Sequence, residues 1–157
     1  MMQTVTEAKP VPLVQIREVP SKPCLYIAAK KTMAEMPAFL QESYPKIYGH
    51  AKGQGEQCFS RYPSWNENEF EVEAGITTKE SLLPEGDILA GKFGGHRALY
   101  TLHKGPYSGV TAAYDAIQGH LKEKEMKTAG APYEVYLNDP SLVPEAELLT
   151  EVYWPIE

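Results

Sequence analysis

Glu151 and Tyr153, in the run Glu151-Val152-Tyr153-Trp154-Pro155-Ile156, are the residues whose types and spacing point most directly to chemistry. In a strand they share one face while Val152 and Trp154 share the other, so the acid cannot change sides without exposing the apolar pair. A carboxylate on the wall of a groove loses water and needs compensation, which an organic cation supplies. Aromatic faces add cation–π attraction of roughly 0.5–2 kcal/mol each. The chain holds ten tyrosines and two tryptophans against four phenylalanines, a tilt toward rings with a polar handle that suits a partly wet pocket. Tyr107, Tyr136 and Trp65 are the candidate lining residues. Tyr114 and Tyr44 fall on helical apolar stripes, where core packing competes with lining. The plain alternative for Glu151 is an acid exposed near a sheet edge or bonded to a backbone amide.

Other chemistries have less support. His50, His96, His103 and His120 form no pair at ligand spacing with a third ligand, so no metal is expected. Cys24 and Cys58 have neither metal-type spacing nor a close partner, which fits a reducing, cytoplasmic setting. Gly91, Gly94 and Gly95 lack the lysine and the following serine or threonine of a phosphate loop. No cofactor is implied. A net charge of −6 argues against nucleic acid as a direct partner, and no long apolar run suggests a membrane span or a signal peptide. After Lys127 no basic residue remains while Glu134, Asp139, Glu145, Glu147, Glu151 and Glu157 follow, read mainly as a solvated acidic surface that favours cations.

The elements that position these residues repeat. Residues 71–76 and 151–156 read as closing strands of two halves, and each half opens on a Leu-Tyr pair, Leu25-Tyr26 and Leu99-Tyr100. Tyr26 and Tyr100, at matching positions, suit sheet packing. Glu71 and Glu73 lie in the strand that mirrors Glu151, and either one is a candidate for the seam. Residues 1–10 read as a mobile end, followed by strands near Val14, Ile16 and Val19 and over 25–29. A helix is expected from a Thr32 cap along Met36, Phe39, Leu40, Ser43, Tyr44 and Ile47, bent or split near Glu42 by Pro45. Strands over 56–62 and 69–76 flank a turn at Pro63-Ser64-Trp65-Asn66. After the Pro84-Glu85-Gly86 break, a hairpin over 87–93 and 97–103 turns at Gly94-Gly95. A helix over 107–128 and strands over 133–138 and 148–156 complete the second half. The order strand, strand, helix, strand, strand, met twice, suits a single α+β domain over 1–157, with repeats at about 12–77 and 86–157. Such a duplication tends to leave a ligand-sized seam.

Three stretches carry a resemblance to a known family: His103-Lys104-Gly105-Pro106-Tyr107, then Tyr133-Glu134-Val135-Tyr136-Leu137-Asn138-Asp139-Pro140, then Leu149-Thr150-Glu151-Val152-Tyr153-Trp154-Pro155-Ile156. With them the chain resembles the GyrI-like small-molecule-binding family, which is related to the effector-binding domains of AraC-type and MerR-type multidrug regulators. The resemblance runs from about Val14 onward and implies two pseudo-two-fold βαββ repeats, an antiparallel sheet, two main helices and a central groove. It implies aromatic side chains and an acid that bind planar, lipophilic, often cationic molecules, with sequestration of toxic compounds as a role. Glu151, Tyr153, Trp65, Tyr107, Tyr136 and Tyr114 are the expected ligand-binding set. A match beginning this close to the first residue suggests a stand-alone member without a preceding DNA-binding helix pair. The alternative is a hydrolase of strained cyclopropane-type rings in DNA-alkylating natural products, with Glu151 as general base or electrostatic stabiliser and Tyr107 or Tyr136 as hydrogen-bond donor. A modulator of DNA gyrase is a further alternative, drawn from the family name.

Overall fold

The computed structural model describes residues 12–157; the mobile end expected over residues 1–10 lies outside them. The first half comprises β1 (Gln15–Val19), β2 (Lys22–Lys31), α1 (Met36–Ala51), β3 (Gly55–Trp65) and β4 (Phe70–Thr78). The second comprises β5 (Leu89–Phe93), β6 (His96–Lys104), α2 (Thr111–Glu123), β7 (Tyr133–Tyr136) and β8 (Leu149–Pro155). All eight strands join one curled antiparallel sheet in the order β1-β6-β8-β7-β3-β4-β2-β5. Replacing each strand by its counterpart in the other half and reading the order backwards returns the same order, which is the signature of a pseudo-two-fold axis between β7 and β3. Each half also lends its first strand to the other: β1 pairs with β6, and β5 with β2.

The matching Leu-Tyr pairs explain how the sheet is sandwiched. Leu25 and Leu99 are each fully buried on the helix face, Leu25 in a cluster with Ile47 and Ala51 of α1, Leu99 with Ala113 and Ile117 of α2. Their neighbours Tyr26 and Tyr100 turn to the opposite face, where Phe59, Phe93, Tyr133 and Tyr153 form a third, aromatic cluster. Burial on both faces is why so many of these strand residues are apolar without clean alternation. Helix α1 lies over β2 and β4, and α2 over β6 and β8, so the middle strand β7 and most of β3 have no helix packed closely above them.

Local details depart from expectation for physical reasons. Helix α1 runs unbroken through Pro45, which is exposed. Thr32 does not cap it directly; it closes the preceding turn, where Thr32 N–H donates to Glu35 Oε1 at 2.9 Å and Glu35 N–H to Thr32 Oγ1 at 3.3 Å. Strand β3 continues through Pro63, because a register shift between Arg61 and Ser64 takes proline's missing donor out of the ladder. The turn therefore moves to Asn66, whose Oδ1 accepts from Asn68 and Glu69 N–H at 2.8 and 2.9 Å. The single helix expected over 107–128 divides into a 3-10 turn, Tyr107–Gly109, and α2, which ends at Glu123 before Glu125 at φ 51°. Among the described residues no helix is long and apolar enough to cross a membrane.

Candidate functional site

The uncovered middle of the sheet gathers a carboxylate and a group of hydroxyls. Glu134 sits at the centre of β7, opposite Ser60 of β3 on one side and Val152 of β8 on the other. Its side chain lies on the helix face, and the residue is 7% exposed. Tyr114 reaches from α2 and donates to Glu134 Oε2 at 2.6 Å, and Tyr136, two residues along β7, donates to Oε1 at 3.1 Å. No lysine or arginine pairs with this carboxylate among the described residues.

Counting donors sets the direction of the network. Tyr136 gives its proton to Glu134, so its oxygen accepts from the buried Ser60 hydroxyl, and Ser60 Oγ accepts in turn from Tyr62 at 3.0 Å. The result is a chain Tyr62 to Ser60 to Tyr136 to Glu134 in which every hydroxyl is used once as donor. From α1, Tyr44 donates to the Phe59 carbonyl at 2.7 Å and meets the Tyr136 ring edge-on at 6.3 Å. Tyr107, in the 3-10 turn before α2, packs edge-on against Tyr136 at 5.5 Å and is 38% exposed. Trp65 packs edge-on against Trp154 at 5.9 Å, and Trp154 belongs to the packing beneath α2. Thr150 is fully buried in β8, and its hydroxyl has no hydrogen-bond partner among the described residues.

Electrostatics follow from this burial. Desolvation pushes the Glu134 carboxyl above the ordinary range, while the bonds from Tyr114 and Tyr136 and the charge of His103 pull the other way. Burial likewise raises the phenols of Tyr44, Tyr114 and Tyr136, so they remain donors across the neutral range. The Cys58 thiol, opposite Tyr136 on β3, is pushed up to about 11 by burial and by Asp139. Such a thiol is not an activated nucleophile.

The residues anticipated from sequence divide between the two faces. Tyr107, Tyr114 and Tyr136 surround Glu134 on the helix face, and Trp65 packs on Trp154 there. Glu151 and Tyr153 stand together as the alternation requires, but on the opposite face, where Tyr153 joins the aromatic cluster. Arg17 Nη1 donates to Glu151 Oε2 at 2.8 Å and to the Tyr153 hydroxyl at 2.9 Å, and its guanidinium lies 3.6 Å over the Tyr100 ring. Glu151 thus already has a cationic partner from β1. The phenol of Tyr153 is pushed up to about 12 by burial and by Glu151. Glu71 and Glu73 alternate with Val72 and Ala74 and also face away from the helices, with Glu73 paired to Arg61 at 2.6 Å and Glu71 exposed.

Glu134 was read from sequence only as one acid in an acidic end. The signal that singles it out is its place in the middle of a short aromatic strand, two residues from Tyr136 on the same face. An ionisable group inside a strand buried on both sides is seldom there for packing.

The sequence pattern of the GyrI-like small molecule binding domain matches residues 12–157. No curated protein matches the chain in a sequence comparison. Among solved structures, the chain is similar to EcmrR in its DNA complex, with TM-score 0.83 and 20% identity over 94% of this chain. The chain spans 58% of that EcmrR chain, and 99% of its C-terminal domain solved alone, with TM-score 0.81 and 18% identity. It is also similar to SAV2435 bound to tetraphenylphosphonium, with TM-score 0.67 and 10% identity over 92% of this chain and 94% of that one. A hydrolase from Listeria innocua matches with TM-score 0.65 and 13% identity over 95% of this chain and 94% of that one. At such identities the likeness shows a shared fold, and the chemistry has to be argued from the site.

Proposed function

The chain belongs to the GyrI-like small-molecule-binding family, and from that premise we propose that it captures lipophilic organic cations in the groove between α1 and α2, with Glu134 as the counter-charge. The observation that carries this reading is a carboxylate 7% exposed whose described partners are hydroxyls alone. Glu151 has Arg17 as its counter-charge, so the electrostatic role expected of an acid in the groove passes to Glu134. Tyr44, Tyr107, Tyr114, Tyr136 and Trp65 supply ring surface around it, which binds flat or bulky apolar groups with little directional demand. The SAV2435 complex with tetraphenylphosphonium supports the ligand class by analogy of fold. Sequestration of such compounds follows without any chemical step. Binding of tetraphenylphosphonium and of the neutral triphenylphosphine oxide, measured side by side by calorimetry, tests the reading. A clear preference for the cation is expected, and equal affinities would refute it.

A second reading, hydrolysis of a strained electrophilic ring, is favoured by the pairing of a high-pKa carboxylate with tyrosine donors and by the likeness to the Listeria innocua hydrolase. Glu134 would take a proton from water as it attacks the ring carbon, while a tyrosine hydroxyl donates to the departing group. Turnover of a cyclopropane-type substrate by catalytic amounts of protein, lost in Glu134→Gln, distinguishes catalysis from capture.

A further inference from the structure

We propose that Thr150 is a second polar point of the groove, whose hydroxyl donates to an oxygen of the guest, so that the chain selects organic cations carrying an ether or carbonyl oxygen over purely hydrocarbon ones. The inference rests on the capture reading above and adds to it the class of guest. Thr150 stands in β8 directly opposite His103 of β6 and Tyr136 of β7. Val152, two residues along, packs beneath α2, so alternation turns Thr150 to the same side. The row His103, Thr150, Tyr136, Cys58 therefore crosses the helix face next to the row Thr101, Val152, Glu134, Ser60. Diagonal neighbours on adjacent strands stand about 7–8 Å apart, and Thr150 and Glu134 are such neighbours. One organic ion spans that separation.

What marks Thr150 is an unspent hydroxyl. The residue is fully buried, and its Oγ1 has no hydrogen-bond partner among the described residues. Both neighbours in its row are engaged elsewhere. Tyr136 donates to Glu134 and accepts from Ser60, and His103 Nε2–H donates to the Pro106 carbonyl at 2.8 Å. Thr101, in the adjacent row, shows the ordinary outcome, since its hydroxyl donates to the Leu13 carbonyl at 2.8 Å. A dry hydroxyl without a partner weakens a fold, and valine would suit the same strand position without that cost. Departures of this kind gather at functional sites, where the missing partner arrives with the ligand.

The 3-10 turn Tyr107–Gly109 is seated on this row. His103 is tied to Pro106 at the head of the turn, and a Cβ at position 109 would stand 3.1 Å from His103 Cε1. Tyr107 packs on Tyr136 and is itself partly exposed, which makes its ring the outer cover beside Thr150. Rotation of that ring gives a guest held at Glu134 a path to the hydroxyl. Closed to water, a hydrogen bond from Thr150 to a guest oxygen meets no competing solvent and discriminates more sharply than one at the surface. A guest without an oxygen leaves the threonine proton unpaired, as it is in the free protein.

The (4-methoxyphenyl)triphenylphosphonium and (4-ethylphenyl)triphenylphosphonium cations share a charge and nearly share a shape, and differ in one ether oxygen. In calorimetric titrations the unaltered protein should bind the methoxy cation about fivefold to tenfold more tightly. Thr150→Val should erase that preference while holding the affinity for the ethyl cation within about twofold. It should also melt at the same temperature as the parent or higher, because it removes an unpaired dry hydroxyl. Thr150→Ser, which keeps the hydroxyl, should keep the preference. Equal affinities in the unaltered protein, or a preference that survives Thr150→Val, overturn the proposal. So does a Thr150→Val melt lowered by several degrees, which would mean that the hydroxyl already has a partner in the fold. Ethyl cation bound tightly with no preference for its methoxy counterpart leaves the capture reading standing, whereas failure to bind either cation removes both.

Discussion

Replacing Glu134 by Gln isolates charge from shape. Gln is nearly isosteric, its carbonyl can still accept from Tyr114, and its amide can donate to Tyr136 once that hydroxyl reverses. What disappears is the negative charge. A cation whose charge centre sits about 5 Å from the carboxylate, at an effective dielectric constant of about 20, interacts with it by roughly 3 kcal/mol. Removing that term should weaken tetraphenylphosphonium binding about a hundredfold or more, and triphenylphosphine oxide binding by less than about threefold. Stability should move the other way. The folded-state pKa of Glu134 lies above its ordinary value because of burial, so the stability carried by the protonated form is fully present at low pH and is lost as pH rises through that raised value. At neutral pH the Gln variant should therefore melt at the same temperature as the parent or higher, the difference closing as pH falls toward the ordinary carboxylate range. Cation affinity of the parent should fall over the same window as Glu134 gains its proton. Calorimetric titration and thermal melts across a pH series measure all of this. A Gln variant that loses affinity equally for the cation and the neutral compound, or that loses none, refutes the reasoning.

Glu151→Gln should leave tetraphenylphosphonium affinity within about twofold and cost under about 1 kcal/mol, since its partner Arg17 is 43% exposed and solvent screens the pair; a large affinity loss would return the groove role to Glu151. Ser60→Ala interrupts the hydroxyl chain between Tyr62 and Tyr136, a loss of about 1–3 kcal/mol that should lower the melting temperature by several degrees; an unchanged melt would mean that the chain contributes nothing. Gly75→Ala places a Cβ 2.3 Å from Phe59 Cζ and 2.9 Å from the Leu25 carbonyl, crowding that typically costs about 1–3 kcal/mol, and urea denaturation should show it.

The fold was legible because its signals are local and occur twice. The Leu-Tyr pairs and the alternation in β8 appear in the structure in the role their chemistry suggests. The hairpin expected around Gly94-Gly95 does not form: the two glycines turn the chain at positive φ, but β5 pairs with β2 while β6 pairs with β1 and β8, because each half lends its first strand to the other. What alternation could not supply was polarity. Val152 and Tyr153 are both buried, so β8 has two inner faces, and nothing in the strand itself says which looks toward the helices. That choice depends on where α2 lands, a long-range packing outcome. The misplacement of the β3 turn has a similar origin: Pro63 marks a break in pairing, and only the register against β4 shows that the strand resumes beyond it.

The exchange of first strands between halves has a bearing on how a guest enters. With β1 stitched into the far half and β5 into the near one, the duplicated modules are clasped like folded arms and cannot swing apart about the axis without breaking two ladders. The distance between α1 and α2 is then a fixed dimension of the scaffold. On the capture reading proposed above, tolerance for guests of different outline would come from rotation of the exposed rings of Tyr107 and Trp65, and the range of molecules accepted would follow side-chain torsions and not a hinge.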